Sequence, residues 1–64
     1  MTKQAMEAII NNEVKELDEM MKREAQAFEE TQDETIRDMH KTAWHHLSQR
    51  KHEALIIRYS LFGY

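Results

Sequence analysis

Apolar residues in the first half of the chain recur in steps of three and four, the spacing of one face of an α-helix. Thr2 stands just before this pattern, at a position suited to a helix N-cap. The spacing predicts one amphipathic helix from about residue 3 to about residue 30. Its apolar residues are Met6, Ile9, Ile10, Val14, Leu17, Met20, Met21, Ala25 and Phe28.

The apolar pattern stops over residues 29–33, which are all polar or charged. Thr31 followed by Glu34 has the spacing of a capping box, in which the threonine is the N-cap of a new helix. Asp33 is the competing N-cap. Either cap predicts that a second helix begins near residues 32–34. Since this stretch contains no glycine or proline, one uninterrupted helix through the connection is the alternative.

The second half begins with Ile36, Met39, Ala43 and Leu47 at helical spacing, with Trp44 on the flank. Residues 48–53 then interrupt the apolar pattern. They form either a hydrated stretch of one long helix or a break at which Ser48 caps a short third helix. We expect one helix from residue 33 to about residue 59, because no residue in the interruption forbids a helix.

Two helices of similar length joined by a short connection predict an all-α antiparallel helical hairpin, with residues 1–64 as a single domain. A lone hairpin has one apolar seam and an exposed back, so we expect two copies to form a four-helix bundle. That arrangement resembles the ROP class in architecture alone. The predicted hairpin core consists of Ile10, Val14, Leu17, Met21, Phe28, Ile36, Met39, Ala43 and Leu47.

The C-terminal segment, residues 54–64, is unusually apolar, with seven large aliphatic or aromatic residues among eleven. One helical stripe cannot hold them all. The segment is therefore either the buried end of the second helix, a helix that docks into another protein's groove, or an extended chain after about residue 58, since residues 57–61 alternate with strand period. The predicted interface with a second copy or a partner consists of Trp44, Leu55, Ile56, Tyr59, Leu61 and Phe62.

Composition limits how this chain can be stabilised. Sixty-four residues bury only a marginal core, and the absence of cysteine removes disulfides and thiolate metal sites. Oligomerisation is the remaining stabiliser. We expect a cytoplasmic protein, because the N-terminus has no apolar run typical of a signal peptide and no stretch approaches the ~20 apolar residues of a membrane span.

Charge is distributed unevenly along the chain. Residues 1–33 carry four bases against nine acids, a net charge of −5, whereas residues 34–64 carry five bases against three acids, a net charge of +2. Opposite charges favour the two halves lying side by side, with bases of the second helix paired to acids of the first. This contribution is modest at physiological salt.

Catalytic and metal-binding patterns are absent from the sequence. His40, His45, His46 and His52 have no pair at the i,i+3 or i,i+4 spacing of a helical metal clamp. No Glu-x-x-His pattern of the di-iron bundles occurs. No nucleophile elbow or glycine-rich phosphate loop is present either. We therefore expect no enzyme activity, no cofactor and no metal.

These features favour a small non-enzymatic interaction protein, a homodimer that binds and modulates a larger protein as an inhibitor, anti-repressor or adaptor. Glu16 and Glu19 on the acidic first helix form a possible docking face for a basic partner. The alternative is a weak RNA- or DNA-binding regulator, disfavoured because the chain is negatively charged overall. A structural subunit of a larger assembly is the third hypothesis. The bases available to a nucleic acid are Arg37, Lys41, His45, Arg50, Lys51 and Arg58.

Overall fold

The computed structural model of the chain describes all 64 residues and contains two α-helices. Helix α1 spans Lys3–Glu30 and helix α2 spans Glu34–Phe62. The two helices pack against each other as an elongated hairpin with dimensions of 47 × 16 × 15 Å. The prediction of an all-α helical hairpin is confirmed.

Side-chain caps fix the ends of the helices around the connection. The Asp33 carboxylate accepts a hydrogen bond from the Ile36 backbone N–H at 3.1 Å, so Asp33 is the N-cap of α2. Thr31 is instead the C-cap of α1, and its backbone N–H donates to the Ala27 carbonyl at 3.2 Å. Because Thr31 and Asp33 both have extended backbones, the uninterrupted-helix alternative is wrong, as is the capping box on Thr31.

Helix α2 continues without a break through residues 48–53 and ends at Phe62, three residues beyond the predicted end. Gly63 terminates it with a left-handed backbone (φ 82°), and its N–H donates to the Tyr59 carbonyl at 2.8 Å. A glycine in this conformation is a common helix C-cap. The third-helix alternative and the extended C-terminal segment are therefore both wrong.

The seam between the helices has a small apolar centre. Leu17 is 1% exposed and Leu47 is 8% exposed, and these are the two buried residues of the chain. Above and below them the seam is only half-buried and includes charged side chains. Its α1 members are Glu7, Ile10, Val14, Leu17, Met21, Glu24 and Phe28, and its α2 members are Arg37, His40, Trp44, Leu47, Lys51, Ala54 and Arg58.

The predicted hairpin core is wrong for two residues of α2. Ile36 is 44% exposed and Met39 is 65% exposed, because the seam follows Arg37, His40 and Trp44 instead. The two sets differ by one residue, which is about 100° around a helix. Ala43, on the same side as Ile36, is half-buried at the edge of the seam. The hairpin alone therefore does not bury the apolar stripe that the sequence pattern identifies.

Candidate functional site

Bases of α2 pair with acids of α1 along the middle of the hairpin. Lys51 Nζ lies 2.6 Å from Asp18 Oδ1, and Arg50 Nη2 donates to Glu13 Oε1 at 3.3 Å. These contacts join the acidic helix to the basic one. Exposed pairs of this kind each contribute about 0–1 kcal/mol, so they set the register of the helices more than the stability.

A closer polar contact lies nearer the connection. His40 Nδ1 and Glu24 Oε2 are 2.6 Å apart, and both side chains are about 30% exposed. They occupy facing positions of the seam that lie outside the predicted apolar core. The next level of the seam holds the Arg37 guanidinium, which lies over the Phe28 ring at 4.4 Å, a favourable cation–π geometry.

At the other end, the C-terminal residue is fixed to the start of α1. We call this cluster the C-terminal clasp: Tyr64, Arg58, Asn11 and Glu7. The Tyr64 hydroxyl donates to Glu7 Oε2 at 2.6 Å and accepts from Asn11 Nδ2 at 2.9 Å. Arg58 donates to the Tyr64 backbone oxygen and to Asn11 Oδ1, and its guanidinium lies 4.5 Å from the Tyr64 ring.

Sequence reasoning missed the clasp. Tyr64 lies 53 and 57 residues from its hydrogen-bond partners, so no local pattern connects them. The only signal in the sequence is the lone glycine before the final tyrosine. Gly63 ends the helix with a left-handed turn, and this turn directs Tyr64 toward α1.

The exposed large apolar residues are concentrated on one side of the hairpin, which we call the open face. Ten large apolar residues are exposed in the chain, and six of them lie on this side. Helical periodicity places them on the flank of each helix next to the seam. The six residues are Ile9 and Met20 on α1, and Ile36, Met39, Ile57 and Leu61 on α2.

Two charged residues divide the open face into an apolar patch near the connection and another near the chain ends. They are Glu13 and Arg50, the exposed ion pair at 3.3 Å. A groove of about 320 Å³ runs from this pair to Ile9 and Ile57, is lined by both helices and also includes Glu53 in its wall. The open face is therefore mostly apolar at both ends, and the Glu13–Arg50 pair lies near its middle.

The structure does not bring the predicted interface residues together. Trp44, Leu55 and Phe62 are half-buried along the seam. Ile56 is 52% exposed on the back of α2, and Tyr59 is 68% exposed on the flank opposite the open face. A sixth member, Leu61, lies on the open face. The predicted set is thus distributed around the whole end of α2.

The predicted acidic docking residues are both on the solvent side of α1. Glu16 and Glu19 are exposed, and Glu16 Oε1 accepts a hydrogen bond from Asn12 Nδ2 at 3.1 Å.

No group of three or more histidine, aspartate or glutamate side chains is arranged to hold a metal ion. Neither helix is long and apolar enough to cross a membrane.

A shallow concavity between the helices near the connection is open to solvent and mainly apolar. Its volume is about 260 Å³, and Phe28, Ala25 and Trp44 supply its apolar wall. Glu24 and His40, the close polar pair of the seam, lie at its edge.

Comparison with family models, curated proteins and solved structures gives no significant match to this chain.

Proposed function

We propose that this chain is a small non-enzymatic interaction protein that forms a homodimer and binds a larger protein in order to modulate it. The observation that carries the proposal is the excess of exposed apolar side chains over buried ones. Ten large apolar residues are exposed and two residues are buried. Contiguous exposed apolar surface on a soluble chain commonly marks a protein–protein contact.

Two separate surfaces support two separate contacts. The open face extends along both helices, which suits a second copy in a four-helix bundle. Ile56 and Tyr59 lie outside both the open face and the seam, so they stay available after such a dimer forms. Tyrosine is among the commonest energetic anchors of protein interfaces. Tyr59 and Ile56 are our candidate contact with the larger partner. Glu16 and Glu19, on the solvent side of α1, form a separate candidate contact for a basic partner.

Nucleic-acid binding through α2 is the less supported function. A nucleic-acid site needs bases that are free to meet phosphates. Lys51 and Arg50 are already paired with acids of α1, and Arg58 belongs to the C-terminal clasp. Arg37, Lys41 and His45 remain on α2, and Arg37 lies against the Phe28 ring.

The test is affinity capture from the native host with the tagged full chain at moderate and high salt. A partner bound through Tyr59 and Ile56 is retained at high salt and is lost in the Tyr59→Ala, Ile56→Ala double variant. Gln49→Ala is the matched control, because Gln49 is also exposed on α2. Circular dichroism and sedimentation establish that each variant keeps the helical content and mass of the parent.

The captured protein is then purified and titrated with the parent and both variants. We expect at least a tenfold loss of affinity in the double variant, since truncating an interface anchor commonly costs about 2 kcal/mol or more. Equal binding by all three removes Tyr59 and Ile56 from the mechanism. Capture of RNA or DNA, with affinity that falls steeply as salt rises, favours the nucleic-acid function instead.

A further inference from the structure

The open face has the size and shape of a surface that belongs against another helical hairpin. The molecule measures 47 Å along the helices and about 16 Å across them, so one face outlines about 750 Å². A stable interface buries about 800 Å² on each partner. A chain with only two buried residues also gains most from covering this face, because its own core is small.

Charge complementarity points to a second copy of this chain as the occupant. The middle of the open face carries one acid, Glu13, and one base, Arg50. A surface with both signs at its centre and apolar patches at both ends complements itself. This inference rests on the dimer in the proposed function and concerns how its two copies are oriented.

Twofold symmetry allows two ways of stacking the open faces. If the axis runs along the helices, both connections lie at the same end, and α1 of each copy packs on α2 of the other. If the axis runs across them, the connections lie at opposite ends, and like helices pack together. Both arrangements place the apolar patches of the two copies against each other and make neighbouring helices antiparallel. The apolar contacts therefore do not distinguish the two arrangements.

The charged residues at the middle do separate them. With the connections at opposite ends and the helices fully overlapped, the two Glu13 side chains lie about 10 Å apart along the bundle and the two Arg50 side chains about 6 Å apart. Like charges placed together in an interface are strongly unfavourable. With the connections at the same end, each Glu13 meets the other copy's Arg50. The four side chains then alternate in sign around the bundle axis.

In the same-end arrangement, apolar residues of the two copies that lie at the same height along the bundle also face each other. The cross-helix pairs Glu24–His40 and Glu13–Arg50 have residue numbers that sum to 64 and 63. A residue of α1 therefore lies at the level of the α2 residue whose number brings the sum near 64, as for Leu17 and Leu47. Met20 then faces Ala43 of the second copy. Ile9 falls between residues 54 and 57 and faces Ile57.

We infer that the open face binds a second copy of this chain with both connections at the same end of a four-helix bundle. In this dimer α1 of each copy packs against α2 of the other, and Glu13 pairs with Arg50 across the interface as well as within each chain. The acidic helix thereby contacts the basic one on two sides.

Single cysteines on the open face test the orientation, because the chain contains no cysteine of its own. In the same-end dimer the two copies of Ile36 stand at one level and point toward the bundle axis, as do the two copies of Leu61. The two α2 helices lie diagonally across the bundle, about 11–14 Å apart when neighbouring helices are 8–10 Å apart. Because both side chains point inward, a thiol cross-linker that reaches about 10 Å spans them. We expect Ile36→Cys and Leu61→Cys each to give a covalent dimer in high yield.

The opposite-end dimer gives the reverse result. Ile36 is 12 residues from the middle of α2, about 18 Å along the helix, so its two copies would stand about 36 Å apart. Neither single variant would then cross-link with itself. A mixture of Ile36→Cys and Leu61→Cys chains would cross-link instead, and that result overturns the inference. Ile56→Cys is the matched control, because it lies on the back of α2 and should remain uncross-linked.

Two further measurements keep the inference testable if a cysteine disturbs folding. Mixed Met20→Cys and Ala43→Cys chains should form a disulfide between different copies in the same-end dimer. Raising the salt concentration should weaken that dimer several-fold, because attraction between Glu13 and Arg50 is screened. An affinity that rises with salt, or a chain that sediments as a monomer, overturns the inference. A same-end dimer that captures no partner leaves the inference standing and removes the proposed function.

Discussion

Leu17 and Leu47 occupy a special position among the 64 residues because they alone are buried. They lie at the same level of the hairpin, one on each helix. Around them the seam consists of half-buried apolar side chains and of polar pairs such as Glu24 with His40. A fully buried leucine contributes both its transfer free energy and the packing around it. The apolar contribution to folding is therefore concentrated at these two positions.

Leu17→Ala and Leu47→Ala should each lower the free energy of unfolding by about 2–5 kcal/mol, the usual cost of a leucine-sized cavity. That is a large part of the stability of a small domain. Ile56→Ala is the control and should change stability by about 0.5 kcal/mol or less, since Ile56 is half exposed on the back of α2. Urea denaturation at one fixed protein concentration measures all three. Parent-like stability in both leucine variants would contradict the assignment of the seam.

At the scale of the elements, each helix is delimited by caps rather than by glycine or proline, with the single exception of Gly63. The ends near residues 3, 30 and 34 follow from local sequence, since Thr2 and Asp33 are good N-caps. The choice between Thr31 and Asp33 did not follow from it. Both residues have a side chain suited to an N-cap. Only the position of the first contact between α1 and α2, at Phe28 and Arg37, favours Asp33 as the N-cap of α2.

Asp33→Ala should therefore destabilise the hairpin by about 0.5–2 kcal/mol, the cost of a lost N-cap. Thr31→Ala should cost less, because its hydroxyl accepts only the long 3.4 Å hydrogen bond from the Asp33 N–H. Thermal unfolding followed by circular dichroism at equal concentrations compares the two variants. A larger loss from Thr31→Ala would mean that the threonine is the cap in solution.

The register of α2 shows why the seam was harder to predict than the helices. Periodicity identified the stripe that contains Ile36 and Met39 as the core. The seam lies one residue further round because Trp44 and Leu47 face α1, and because His40 and Lys51 find acids there. Contacts between residues far apart in the sequence determine how α2 is rotated about its own axis. The apolar pattern of one helix carries no information about those contacts. The same limit applies to Tyr64, whose partners on α1 are more than fifty residues away.

For the whole molecule, the dimer that we infer would cover the displaced apolar stripe, so its stability should depend on association. We expect the thermal midpoint to rise by several degrees over about a hundredfold increase in protein concentration, as it does when folding and dimerisation are linked. Sedimentation equilibrium at micromolar concentration should give twice the chain mass of 7.7 kDa. A midpoint that stays constant, together with a monomer mass, would mean that the open face remains exposed in the isolated protein.

Met39→Glu provides the matching mutational test, since Met39 is the most exposed apolar residue of the open face. A charge at that position should reduce self-association at least tenfold, because burying it unpaired is costly. Gln49→Glu adds the same charge at an exposed position outside the open face and should leave the association constant unchanged. Analytical ultracentrifugation of both variants gives the two constants directly.

The three-residue connection, residues 31–33, has a consequence for topology. Its extended backbone at Thr31 and Asp33 is all that keeps the chain from one rod of about 60 helical residues, roughly 90 Å long. Replacing residues 31–33 with alanines favours that rod. Two antiparallel rods would place α1 of each against α2 of the other. Because 30 residues of continuous helix turn Leu47 about 120° away from Leu17, the rods would have to wrap around each other to restore the seam contacts between chains. Small-angle scattering would then report a dimer about twice as long as the 47 Å hairpin, an exchange of whole helices between copies.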